Sequence, residues 1–135
     1  IYGPGCQPEY NSVIATFCHK SANGKPLMID GDGHQSRDFI YIEDNVNLSV
    51  KALISEETDG EVINIGSGRQ TTILDLAEKL IKISGNLIEP QFLPSRKNEI
   101  RYRVPDISKM ERLLGKINYA KMDDNLETTY MSYRD

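Results

Sequence analysis

Apolar residues recur at helical spacing in three stretches of the chain and cluster in several shorter ones. Val13, Ile14, Phe17 and Cys18 share one helical face. Asn11 or Ser12 can cap that helix, and Asn23-Gly24 with Pro26 behind it ends it. Val46, Val50, Leu53 and Ile54 mark one face of a second helix, with Asp44 placed to cap it. Ile73, Leu76, Ala77, Leu80 and Ile83 mark a third, opened by Thr72 and Asp75 in a pattern resembling a capping box and stopped by Gly85. Leu27-Met28-Ile29, residues 39–42, 61–65 and 89–93 are the strand candidates. Asp106 can cap a short helix carrying Met110, Leu113 and Leu114, and a last helix is expected from about Asp123. Residues 1–10, with two prolines and two glycines, are expected to be loop. The alternation of strands and helices predicts an α/β fold, with too few strands for a complete doubly wound sheet.

The densest local signal is Gly31-Asp32-Gly33-His34-Gln35-Ser36-Arg37-Asp38-Phe39-Ile40-Tyr41-Ile42-Glu43-Asp44. Two glycines and an aspartate make a tight turn, and the unalternating run 39–42 predicts a short strand buried on both faces. Arg37 stands where turn becomes strand. Its planar fork suits carboxylate or phosphate oxygens. On local chemistry alone, the simplest account of Arg37 is a surface arginine paired to Asp32, Asp38 or Asp44.

A chain of 135 residues, 39% hydrophobic and 27% charged, fits one globular domain. The net charge of −4, with both signs scattered, argues against a nucleic-acid partner. No apolar run is long enough for a membrane span and no signal-peptide pattern opens the chain, so a cytoplasmic protein without a membrane partner is expected. Cys6 and Cys18 are expected to be free thiols, Cys18 in the core, and with His19 and His34 they show no zinc spacing.

The run Gly-Asp-Gly-x-Gln-x-Arg-Asp-Phe-Ile-Tyr-Ile-Glu-Asp resembles the one found in NAD-dependent sugar-nucleotide epimerases and dehydratases, the extended short-chain dehydrogenase/reductase family. Tyr2-Gly3-Pro4-Gly5, Gly24-Lys25-Pro26-Leu27, Asn64-Ile65-Gly66-Ser67-Gly68 and Asp106-Ile107-Ser108-Lys109 resemble that family in the same order. The resemblance implies the C-terminal part of a Rossmann-like enzyme, a small mixed sheet with flanking helices. Residues 1–135 would form the nucleotide-sugar-binding portion, with the N-terminal NAD-binding domain lying upstream of Ile1. It implies a UDP- or dTDP-sugar as ligand and NAD as cofactor of the complete enzyme, with none bound by this chain alone. The expected protein partner is a second copy of the chain or the missing N-terminal half.

The resemblance carries over to six positions. Asn11 matches an asparagine near the substrate phosphates, although a helix cap accounts for it equally. Met28 and Asp30 match residues whose backbone groups hold the uracil or thymine ring; Met28 also suits a core. An aromatic residue is common around positions 28–30, and Asp30 departs from that. Arg37 matches an arginine on the diphosphate. Arg96 and Glu99 match an arginine on phosphate and an acid on ribose hydroxyls; a surface ion pair would account for both. A diphosphate suits two fork-shaped cations and a ribose diol suits a carboxylate.

No catalytic centre is recognisable. No tyrosine has a lysine four residues on, and no Gly-x-Ser-x-Gly turn presents a nucleophile. Gly3/Gly5, Gly31/Gly33 and Gly66/Gly68 each lack the third glycine of a dinucleotide loop. Gly66-Ser67-Gly68 could cradle a phosphate, though a plain turn is the simpler reading. The stretch 8–18 is similar to one in capsular-polysaccharide deoxyhexose reductases of the same superfamily. Epimerisation, dehydration, decarboxylation and reduction therefore stand as alternative reactions. A non-catalytic binding or interaction module is the alternative from another class.

Overall fold

A computed structural model describes residues 1–10, 12–85 and 87–134. Helix α1 (Val13–Ala22) begins at Ser12, whose hydroxyl accepts from Ala15 N at 3.5 Å. Strand β1 (Met28–Asp30) leads into the glycine turn, and β2 (Ser36–Arg37) leaves it. Helix α2 (Ile42–Ile54) follows. Strand β3 (Thr71–Thr72) runs directly into α3 (Ile73–Ser84), where Thr72 Oγ1 accepts from Asp75 N at 3.0 Å and Gly85 closes the helix with a φ of 65°. Strands β4 (Gln91–Leu93) and β5 (Tyr102–Arg103), then α4 (Ser108–Leu114) and α5 (Met122–Met131), complete the order. Short 3-10 turns occur at Pro8–Tyr10 and Glu56–Thr58.

The sheets are small. Strand β1 pairs in parallel with β4. Strand β2 lies between β3, antiparallel to it, and β5, parallel to it, so that Ser36 faces both Thr72 and Tyr102. Helices α1, α3 and α5 pack together, burying Ile14, Phe17, Cys18, Leu76, Leu80, Leu126 and Tyr130 with Ile29 of β1. A second cluster joins Ile40, Leu48 of α2 and Met110 of α4, with Ile63 and Ile65 against it. The mixed α/β class, with small sheets and flanking helices, is as expected.

Four expectations are corrected. Residues 39–42 are not a strand. Ile40 and Tyr41 are buried, but their only sheet-like contact among the described residues is one parallel bridge, in which Tyr2 N donates to Ile40 O at 3.0 Å and Ile42 N to Tyr2 O at 2.8 Å. The regular ladder lies earlier, at Ser36–Arg37. Helix α2 therefore starts at Ile42 with Tyr41 before it, and Asp44 is not its cap. Asp44 and Glu43 instead sit in the first turn, where carboxylates oppose the partial positive charge of the helix end.

Residues 61–65 also form no strand, because no strand lies alongside them among the described residues. Ile63 and Ile65 face the second cluster while Val62 stays 86% exposed. Their polar contacts go to the start of α4: Asn64 Nδ2 donates to Asp106 O at 3.2 Å, and Lys109 Nζ donates to Val62 O at 2.8 Å. Finally, the apolar face of α2 marked by Val46, Val50, Leu53 and Ile54 is exposed, Leu53 to 85%, and Leu48 alone in the helix is buried. Leu48→Ala is expected to cost about 2–5 kcal/mol in urea unfolding, whereas Leu53→Ser should stay within about 0.5 kcal/mol.

Candidate functional site

The glycine turn fixes where the functional side chains point. Gly31 and Gly33 take φ values of 67° and 77°, a region that glycine enters freely. A Cβ on Gly31 would lie 2.7 Å from Ser95 Oγ, and one on Gly33 would lie 3.0 Å from Leu74 Cβ. Both glycines therefore let neighbouring segments close on the turn. Asp32 Oδ1 accepts from His34 N at 2.9 Å. The buried Gln35 donates from Nε2 to Asp30 O at 2.8 Å, holding the end of β1 to the start of β2.

Residues 94–101 form a strap from β4 to β5 across this turn. Gly31 N donates to Leu93 O at 2.9 Å and Ser36 N to Arg101 O at 2.8 Å. Arg101 spans both oxygens of Asp32, Nη2 to Oδ2 at 2.9 Å and Nη1 to Oδ1 at 3.3 Å. Arg96 Nε lies 2.6 Å from Asp30 Oδ2. Arg37 Nη1 donates to Ile100 O and to Ser36 O, both at 2.8 Å. Within the strap Asn98 adopts a left-handed φ of 63°, and the next residue, Glu99, turns half-buried into the cleft.

Between turn, strap and the first turn of α1 lies an open cleft of about 890 Å³. Met28, Asp30, Arg37, Arg96 and Glu99 all line it. Three separate stretches of chain thus bring together every expected site residue that the structure describes. Asn11 lies outside the described residues; its neighbour Ser12 lines the cleft. Gln35, Asp38 and Arg103 are among the lining residues that the sequence did not single out as site residues. Gln35 and Asp38 sit inside the glycine run, and Arg103 closes the most cationic stretch of the chain.

Arg37 does not pair with Asp32, Asp38 or Asp44, and among the described residues no carboxylate reaches it. Two backbone carbonyls hold Nη1, leaving Nη2 and Nε for an outside acceptor. Asp32 and Asp38 are occupied elsewhere. Asp38 Oδ2 accepts from Ser67 N at 2.8 Å, and its Oδ1 accepts from the Ser67 hydroxyl and from Arg69 N at 3.3 Å. That favours the plain turn over a phosphate cradle at Gly66-Ser67-Gly68: the N–H groups of Ser67 and Arg69 already face a carboxylate. The loop accordingly does not fit a dinucleotide pyrophosphate.

Residues 1–66 match the model of the NAD dependent epimerase/dehydratase family. The UDP-glucose 4-epimerase of Thermotoga maritima, solved with UDP-glucose, superposes with a TM-score of 0.90 at 34% identity over 98% of this chain and 43% of that one. Over residues 1–66 the chain is thus similar to the NAD dependent epimerase/dehydratase family. The UDP-glucuronic acid 4-epimerase of Bacillus cereus, solved with UDP-glucuronic acid and NAD, superposes with a TM-score of 0.87 at 38% identity, covering 98% of this chain and 42% of that one. The UDP-N-acetyl-alpha-D-glucosaminuronate decarboxylase of Bacillus cytotoxicus is 29% identical over all of this chain and 44% of its own length. The chain thus spans about two fifths of the relatives it matches. Its fold is shared with these Rossmann-like epimerases.

Two measurements test how the site is held. Asp38→Asn replaces an acceptor by an amide N–H facing Ser67 N, and a loss of about 1–3 kcal/mol in urea unfolding is expected. The His34 N–H and then the Arg101 guanidinium hold the Asp32 carboxyl below its ordinary value of 3.8. A depressed folded-state pKa stabilises the fold above the unfolded value and ceases to do so as pH falls through the folded one. The difference in melting temperature between wild type and Arg101→Ala is therefore expected at neutral pH and should vanish as pH falls below 3.8.

Proposed function

We propose that this chain is the nucleotide-sugar-binding portion of an NAD-dependent epimerase/dehydratase acting on a UDP- or dTDP-hexose. The observation that carries the reading is the convergence of Arg37 and Arg96 with Glu99 on one cleft, Arg37 having donors free. In this reading Arg37 and Arg96 take the diphosphate and Glu99 takes the ribose hydroxyls. Backbone groups of Met28 and Asp30 take the base, and Asn11 lies near the phosphates. Bidentate, charge-assisted bonds from planar guanidinium groups suit phosphate oxygens better than a point charge does. The UDP-sugars named for the relatives support this ligand class.

NAD is bound in the Bacillus cereus relative. Here the Gly66–Gly68 loop is filled by Asp38, and in this reading the cofactor is held by residues beyond this chain. NAD would supply hydride transfer; this chain would supply recognition of the nucleotide and one wall of the cleft. Epimerisation, decarboxylation and dehydration all fall within the reading, and the 8–18 stretch adds deoxyhexose reduction. A second reading, an interaction module, is favoured by the bare apolar face of α2 at Val46, Val50 and Leu53. On either reading that face takes a protein partner, the NAD-binding half or a second copy.

Calorimetric titration of the full-length protein with UDP tests the first reading. UDP is expected to bind, and Arg37→Ala should weaken it about 10- to 100-fold, as befits a hydrogen bond to a charged group. NAD affinity should be unchanged by the same substitution. A folded protein that ignores UDP, or binds it equally well without Arg37, would favour the interaction module.

A further inference from the structure

Asp30 places a carboxylate in a cleft whose proposed ligand is itself an anion. Its backbone is fixed on both sides, by the register with Leu93 in β4 and by Gln35 Nε2 on its carbonyl. The side chain is mostly buried, 23% exposed, and lies against Arg96, which is 76% exposed on the strap. The other two aspartates of the region are each held by several donors, backbone and side-chain. Asp32 is held by His34 N and by both Nη groups of Arg101, and Asp38 by Ser67 and Arg69 N. Asp30 differs because its cationic partner is one of the arginines lining the cleft.

We propose that Asp30 is the resident counter-anion of Arg96, which a phosphate group must displace on entering the cleft. This rests on the reading of the cleft as a nucleoside-diphosphate site. Arg96 meets Asp30 from Nε through one oxygen, Oδ2, whereas Arg101 grips both oxygens of Asp32. An ion pair whose cation stands mostly in solvent is weak and exchanges readily, so Asp30 lowers affinity without closing the cleft. Once phosphate takes Arg96, the Asp30 carboxylate is left beside the new anion. The cleft then discriminates against added negative charge near Arg96, and Asp30 acts on the ligand through Arg96.

Titration of the full-length protein with UDP and with uridine separates the roles. Asp30→Asn keeps the backbone and the side-chain shape. It should tighten UDP about two- to five-fold, the size of an exposed ion pair, and leave uridine unchanged. In an Arg96→Ala background the tightening should disappear, since there is no pair to break. Weaker or unaltered UDP binding by Asp30→Asn would overturn the proposal, as would tightening that persists undiminished without Arg96. Arg37→Ala keeps the two readings apart. If wild-type UDP binding is absent or indifferent to Arg37→Ala, the nucleotide site itself fails, and the counter-anion role with it. If Arg37→Ala weakens UDP and Asp30→Asn fails to tighten it, the counter-anion role alone fails.

Discussion

The hydrogen bonds of residues 35–38 hold four otherwise separate parts of the chain in one place. Gln35 O accepts from Ile73 N and Gln35 Nε2 reaches Asp30 O, which joins α3 to β1. Ser36 N and Arg37 Nη1 fasten the strap through Arg101 O and Ile100 O. Asp38 takes the 66–69 loop. Ser36 is buried between its two neighbouring strands, so this run has no freedom to shift register without breaking contacts on both sides. The direction of Arg37 follows from these constraints, and so does the shape of the cleft.

Charge is distributed around that run in a division of labour. Asp32 and Asp38 have their acceptor capacity filled by protein donors and act as fasteners. Arg101 is likewise consumed. Arg37, Arg96 and Arg103 line the cleft, two of them outside any ion pair among the described residues. Acids held by protein donors and arginines outside ion pairs thus stand side by side in a chain whose net charge is −4. The sign of the whole molecule says little about the sign of its cleft.

Helices were legible where their signals are local. Ser12, Thr72 and Gly85 mark helix ends by hydrogen bonds and backbone angles set within a few residues, and α1 and α3 lie where those marks put them. Strands were legible only in part, because a strand needs a neighbour that its own residues do not specify. The stretch 61–65 has strand composition and finds no ladder among the described residues, while Thr71–Thr72 and Tyr102–Arg103, two residues each, pair with β2. The second helix was legible as a helix but not in its burial, since an apolar face is buried only by something packed on it. For the cleft, resemblance to a family singled out Met28, Asp30, Arg37, Arg96 and Glu99. The freedom of Arg37 was illegible, because the donors that occupy Asp38 and Asp32 lie 29 and 69 residues away.

The Tyr133 hydroxyl donates to Cys6 O, a contact between residues 127 apart, and α1 shares its core with α5. A link of that span makes folding late and collective. During synthesis Ile14 and Phe17 of α1 leave the ribosome before Leu126 and Tyr130, the α5 residues that share their core. Closing so long a loop carries an entropic cost that no local helix propensity offsets beforehand. Until α5 follows, α1 carries an unshielded apolar surface open to chaperone capture or misassociation.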